Sequence, residues 1–134
     1  MKENKVSIQI NRPASEVFDF TINPANTSKW IESIEKEETN EWPVKIGSVY
    51  RNVDAVGKWD EYTLAGLEKN KLFELASREG GYHVQYTYTS VSDQISMLEY
   101  FEWMDEGELE NPFSQEALNN LKIVIELTAS NFLV

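Results

Sequence analysis

One stretch constrains the fold more than any other. From Asn111 to Val134, NPFSQEALNNLKIVIELTASNFLV, apolar residues recur at helical spacing, and no other segment sustains that pattern. Asn111 is a good N-cap and Pro112 a good first helical residue, so the spacing predicts a helix of about 22 residues, roughly 33 Å long. Steps of 100° place Phe113, Ala117, Leu118, Leu121, Val124, Ile125, Ala129 and Phe132 on one broad stripe. Gln115, Asn119, Lys122, Glu126 and Ser130 form a polar flank. Ile123, Leu127 and Val134 make a second apolar line nearly opposite the first, suited to a covering loop or to a second copy in a homodimer.

The rest of the chain reads mostly as strands. Lys5 to Asn11 alternates, with Val6, Ile8 and Ile10 on one face. Pro13 opens a short helix to about Thr21, and Asn23-Pro24 caps a second one to about Trp30. Ile31 to Glu41 carries Ile34 among carboxylates and is expected to hold a short edge-like strand. Strands follow at Ser48–Val56, Trp59–Ala65, Lys71–Ser77, Tyr82–Ser90 and Gln94–Met104, joined at Gly57-Lys58, Gly66–Asn70, Gly80-Gly81 and Ser92-Asp93. Short turns imply an antiparallel meander. A curved sheet of this kind needs a helix on its concave side, and the C-terminal stretch supplies it. The expectation is one α+β domain over residues 1–134, with six or seven strands and two short helices after the first strand.

Composition narrows the function classes. Apolar residues make up 41% of 134 and aromatic residues 12%, enough for a packed core or a ring-lined cavity. With no Cys there is no disulfide, thiolate nucleophile or Cys-ligated metal, and a single His, His83, rules out a multi-His site. No metal site is expected, nor any cofactor: GxGxxG, Walker A, GxSxG and HExxH are absent from the sequence. The net charge of −11, with Lys and Arg unclustered, argues against nucleic acid and against an anionic membrane surface. The charged start Met1–Lys5 precedes no apolar segment and no run reaches the length of a membrane span, so a soluble cytoplasmic protein is expected.

Several local sequences carry a resemblance. They are Ile8-Gln9-Ile10-Asn11-Arg12-Pro13-Ala14-Ser15-Glu16-Val17-Phe18, Asn23-Pro24 with Trp30, Gly47 before a strand, Lys71-Leu72-Phe73-Glu74, and Leu118-Asn119-Asn120-Leu121-Lys122 with Glu126. Together with the element order they resemble the START-like, birch-pollen-allergen-like superfamily and, more narrowly, its polyketide cyclase/dehydrase and lipid-transport branch. The resemblance implies a helix-grip fold with an apolar cavity between sheet and last helix. It implies no catalytic residues, and these are scaffold positions, so fold is not function here.

The ring-rich inner face and the resemblance together point to a hydrophobic or amphipathic ligand such as a lipid, polyketide or isoprenoid. The cavity set is Trp30, Tyr82, Tyr86, Tyr88, Met97, Phe101, Trp103, Phe113, Leu121 and Ile125; a packed core is the plainer reading of the same rings. Strand Gln94–Met104 has two faces. Ile95, Met97, Glu99, Phe101 and Trp103 are the more apolar set and are expected inward, which would make Glu99 a buried general acid or base in a cyclase or dehydratase. A one-residue slip reverses that assignment. A closed-core interaction module is the third reading. His83 is expected on the outer sheet face, and Arg51 with Glu61 as a cross-strand surface pair.

Overall fold

Alternating strands closed by tight turns leave one face of a sheet apolar, and that face needs a partner. The computed structural model describes residues 1–131, and side chains through Leu127. Its elements are β1 (Glu3–Ile10), α1 (Ala14–Ile22), α2 (Pro24–Thr27), β2 (Lys36–Thr39), β3 (Val49–Val53), β4 (Trp59–Glu68), β5 (Leu72–Ser77), β6 (Tyr82–Ser92), β7 (Ile95–Met104) and α3 (Gln115–Asn131). The strands form one seven-stranded antiparallel sheet in the order β1-β7-β6-β5-β4-β3-β2. This is the expected helix-grip α+β arrangement, with α3 against the concave face. Gly47, at φ +97°, makes the turn into β3 in a backbone region that L side chains rarely adopt.

Local chemistry sets the helices. Asn23 caps α2 by accepting the Ala25 N–H at 3.0 Å, and Pro24 follows at the first helical position. α1 seats Val17, Phe18 and Thr21 on the sheet. Phe18 meets Tyr88 edge-on at 5.2 Å, and the Thr21 and Tyr88 hydroxyls lie 2.6 Å apart.

α3 starts later than the sequence implies. Asn111 and Pro112 do not open it; the Ala117 N–H reaches the Ser114 Oγ at 3.3 Å and the helix begins at Gln115. The cause is an earlier commitment of the Phe113 backbone. Its N–H donates to Glu102 at 2.5 Å and its carbonyl accepts from Asn4 Nδ2 at 2.9 Å. A residue tied to the sheet through both backbone groups cannot join the helical ladder. The helix therefore runs 17 residues, roughly 26 Å. Leu118, Leu121 and Ile125 are buried beneath it, each contributing about 1.5–3 kcal/mol. The line facing away is solvent-exposed at Ile123 (57%) and Leu127 (62%). Val134 and Phe132 lie outside the described residues, as does the Ala129 side chain.

The inward face of β7 is the reverse of the expectation. Ser96, Leu98, Tyr100 and Glu102 are buried in the concave face, whereas Ile95, Met97, Glu99, Phe101 and Trp103 occupy the convex one. Directly opposite residues in an antiparallel pair share a face. Tyr86 lies opposite Tyr100 and Tyr88 opposite Leu98, so the tyrosine face of β6 carries the even-numbered residues of β7 inward. The convex rings cover one another instead: Trp103 stacks on His83 at 4.8 Å and on Phe101 at 5.0 Å, with the Lys5 ammonium 5.3 Å from the Phe101 ring.

Candidate functional site

The concave face is a run of rings. Tyr50, Phe73 and Tyr86 follow edge-to-face across β3, β5 and β6 at 5.4 Å steps. From Tyr86 the run divides to Tyr100 at 5.2 Å and Trp30 at 6.4 Å, and both lead to Phe113, at 3.8 and 6.0 Å. Six rings in edge or stacked contact form a continuous apolar wall beneath α3, closed by Leu118, Leu121 and Ile125.

Polar groups cluster at the β2–β4 end of this wall. The register sets Glu37 opposite Asn52 and Tyr50 opposite Tyr62, so all four side chains point into the concavity. Glu37 accepts from the Thr27 hydroxyl at 2.6 Å and from Asn52 Nδ2 at 3.3 Å. Burial pushes its carboxyl above the ordinary range, and the two hydrogen bonds only partly offset that. Burial, with the negative charge of Asp60 and Glu37 added, raises the Tyr62 phenol to about 12. Tyr50 is raised for the same two causes, burial and Glu37, while its hydroxyl donates to the Ile22 carbonyl at 2.6 Å. The face is thus amphipathic: apolar rings over most of its width and a reluctant acid with phenols at one edge.

A second polar knot lies at the other end. Glu102, 2% exposed, accepts from Tyr82 at 2.7 Å, Asn4 at 2.9 Å and Phe113 N–H, and ties β1, β6 and β7 to the start of α3. Tyr82 is half-buried here, and burial first, then the Glu102 hydrogen bond, raises its phenol.

Two open recesses flank α3 beyond this wall. One, of about 250 Å³, lies between residues 30–33 and residues 111–120, with Trp30, Ile31, Phe113 and Ala117 on its sides. The next, of about 210 Å³, continues along the helix past Asn120 to Ile123 and Val124, and Trp30 lines it too.

The structure brings together Trp30, Tyr82, Tyr86, Tyr88, Phe113, Leu121 and Ile125 on the concave side, and separates Met97, Phe101 and Trp103 from them. Glu99 stands on the convex face with Lys5 at 3.7 Å, not on the inner face where its strand's hydropathy set it. His83 lies on the outer face as expected, with its Nε2 3.0 Å from Asp105. Arg51 is opposite Glu61 in register, but its ion pair goes to Glu38 at 3.4 Å while Glu61 pairs with Arg78. Sequence reasoning passed over Glu37, Tyr50, Tyr62 and Glu102. For Glu37 the carboxylate-rich run Glu35–Glu38 hides the signal; an inward Tyr50 two strand positions away is the feature that would have exposed it.

No family model matches the chain, and no curated protein matches it in sequence. Solved structures match the fold across nearly its whole length. The fold they share with this chain is the helix-grip α+β fold. A START superfamily protein from Mycobacterium smegmatis superposes with TM-score 0.76 at 10% identity, covering 96% of this chain and 99% of that one. Norcoclaurine synthase from Thalictrum flavum, in complex with dopamine and hydroxybenzaldehyde, gives 0.69 at 12%, over 97% and 87%. A structural-genomics protein from Chromobacterium violaceum gives 0.69 at 16%, over 93% and 97%. Among the described residues no helix is long and apolar enough to cross a membrane.

Proposed function

We propose that the protein binds, and in a transport role carries, an amphipathic small molecule of the lipid, polyketide or isoprenoid kind between the sheet and α3. The observation that carries this reading is the ring wall from Tyr50 to Phe113 ending at the half-buried Glu37 carboxyl. The apolar body of the ligand lies along the rings and its hydroxyl or amine meets Glu37 and Tyr62. Two solved proteins of this fold support it by their descriptions, one as a START superfamily member and one holding two aromatic compounds. Native mass spectrometry of the purified protein tests it: a non-covalent adduct released by organic denaturation is expected. A bare-chain mass throughout favours the closed-core interaction module instead.

A second reading rests on Glu37 alone. A carboxyl with a raised pKa beside phenols is the equipment of an acid–base enzyme of the cyclase or dehydratase type. Glu37→Gln keeps the shape and removes the acid; turnover that survives it excludes this reading.

Two lesser proposals accompany the first. The exposed Ile123 and Leu127 line joins two copies in a homodimer, for which solution scattering should give twice the chain mass. The absence of Cys and the net charge of −11 fit a cytoplasmic protein that leaves nucleic acid alone.

A further inference from the structure

Trp30 is 2% exposed, and its indole N–H has no acceptor among the described residues. Buried donors are almost always paired, and one left alone is a feature to explain. Trp30 lies where the ring wall meets the groove beside α3: its ring contacts Tyr86 and Phe113, and it lines both recesses of that groove. The remaining groove chemistry limits what fits. Ile31, Phe113 and Ala117 offer apolar sides, whereas Glu32 and Glu116 line the same recess on a chain of net charge −11. Lys29, in the second recess, donates to Asn26 at 2.8 Å. An anionic head is therefore repelled, and an apolar body with a neutral acceptor oxygen is complementary.

We propose that Trp30 is a specificity-determining donor, and that the groove between residues 28–33 and α3 admits neutral carbonyl or ether compounds whose oxygen takes the indole N–H. This rests on the small-molecule reading and adds the ligand's polar chemistry to it. The N–H is buried while Trp30 lines both recesses, so its use by a ligand requires that residues 28–33 part from α3 or that the Trp30 ring turns, a side-chain adjustment common on binding. A site with an unpaired donor discriminates strongly against an analogue lacking the acceptor.

The test uses three naphthalenes of nearly one shape: 2-acetylnaphthalene, 2-isopropenylnaphthalene, in which a methylene replaces the oxygen, and 2-naphthoate. Binding is followed in wild type by the indole N–H resonances, with that of Trp30 assigned through bonds. The ketone is expected to bind about tenfold more tightly than the alkene, to move the Trp30 resonance downfield, and to outcompete the carboxylate. In Trp30→Phe, which keeps a ring, the ketone and alkene should bind within about twofold of each other. Equal wild-type affinities, a stationary Trp30 resonance on ketone binding, or a preference that survives Trp30→Phe overturns the donor role and leaves the small-molecule reading standing. Absence of binding by all three to wild type, with a bare mass in native spectrometry, removes both. The wild-type measurements hold even where the variant does not fold.

Discussion

The carboxylate of Glu102 accepts the backbone N–H of Phe113 at 2.5 Å, and this one contact sets where the last helix begins. It also draws Tyr82 and Asn4 to the same two oxygens. Glu102→Ala takes an acceptor from three half-buried donors, of which Asn4 keeps the Phe113 carbonyl. A total loss of about 2–4 kcal/mol is expected in urea unfolding at neutral pH, with Glu102→Gln retaining part of it. A loss under about 1 kcal/mol for the alanine variant contradicts the tether.

Glu37 makes the opposite prediction. Its folded pKa is raised above 4.5 by burial, so between 4.5 and that raised value the folded state holds more protons than the unfolded chain. Stability therefore falls as pH rises through that window and stays lower above it. Glu37→Gln, which keeps an acceptor for Thr27, should raise the melting temperature at pH 7 and lose that advantage near pH 4. A variant less stable than wild type at both pH values shows that the hydrogen bonds to Thr27 and Asn52 outweigh the burial.

Glu126 shows the ordinary sign. Partial burial raises its carboxyl, but hydrogen bonds from Lys122 at 2.6 Å and the Asn11 N–H at 2.9 Å, with the charges of Lys122 and Arg12, hold it below 4.5 overall. Its contribution is present above 4.5 and is lost as pH falls through the lowered value. Glu126→Gln should destabilise at pH 7 by about 0.5–1.5 kcal/mol, and by less near pH 2.5. The check is urea unfolding at both pH values, where a pH-independent difference would contradict the linkage.

Glu99 should be inert. On the convex face it holds an exposed pair with Lys5, and such pairs contribute about 0–1 kcal/mol. Glu99→Gln is expected to leave both stability and ligand retention unchanged within error. Loss of a bound ligand in this variant would return β7 to the register that its hydropathy suggests.

Much of the fold was legible because periodicity and turn residues speak locally. Val6, Ile8 and Ile10 alternate, Asn23-Pro24 caps, and the stripe Leu118, Leu121, Ile125 steps at helical spacing; each found its expected place. The face of β7 was misread because apolarity was summed within one strand. Phe101 and Trp103 shelter under His83 and Lys5 on the convex side, while Glu102 is satisfied inside by donors from Asn4, Tyr82 and Phe113, residues distant in sequence. The reach of α3 was overestimated for the same reason: Asn111-Pro112 is a sound local start signal, overridden by a tertiary hydrogen bond. Glu37 stayed hidden because a carboxylate among carboxylates looks solvated until Thr27 and Asn52 are placed around it.

The central claim is that ligand occupies the concave side between the ring wall and α3. Intermolecular nuclear Overhauser effects from bound N-phenyl-1-naphthylamine, a neutral probe, test it most directly. The account predicts contacts to Tyr62, Tyr86, Phe113 and Leu121. Contacts confined to Phe101, Trp103 and Met97 on the convex face, or to Ile123 and Leu127 on the back of α3, would contradict it.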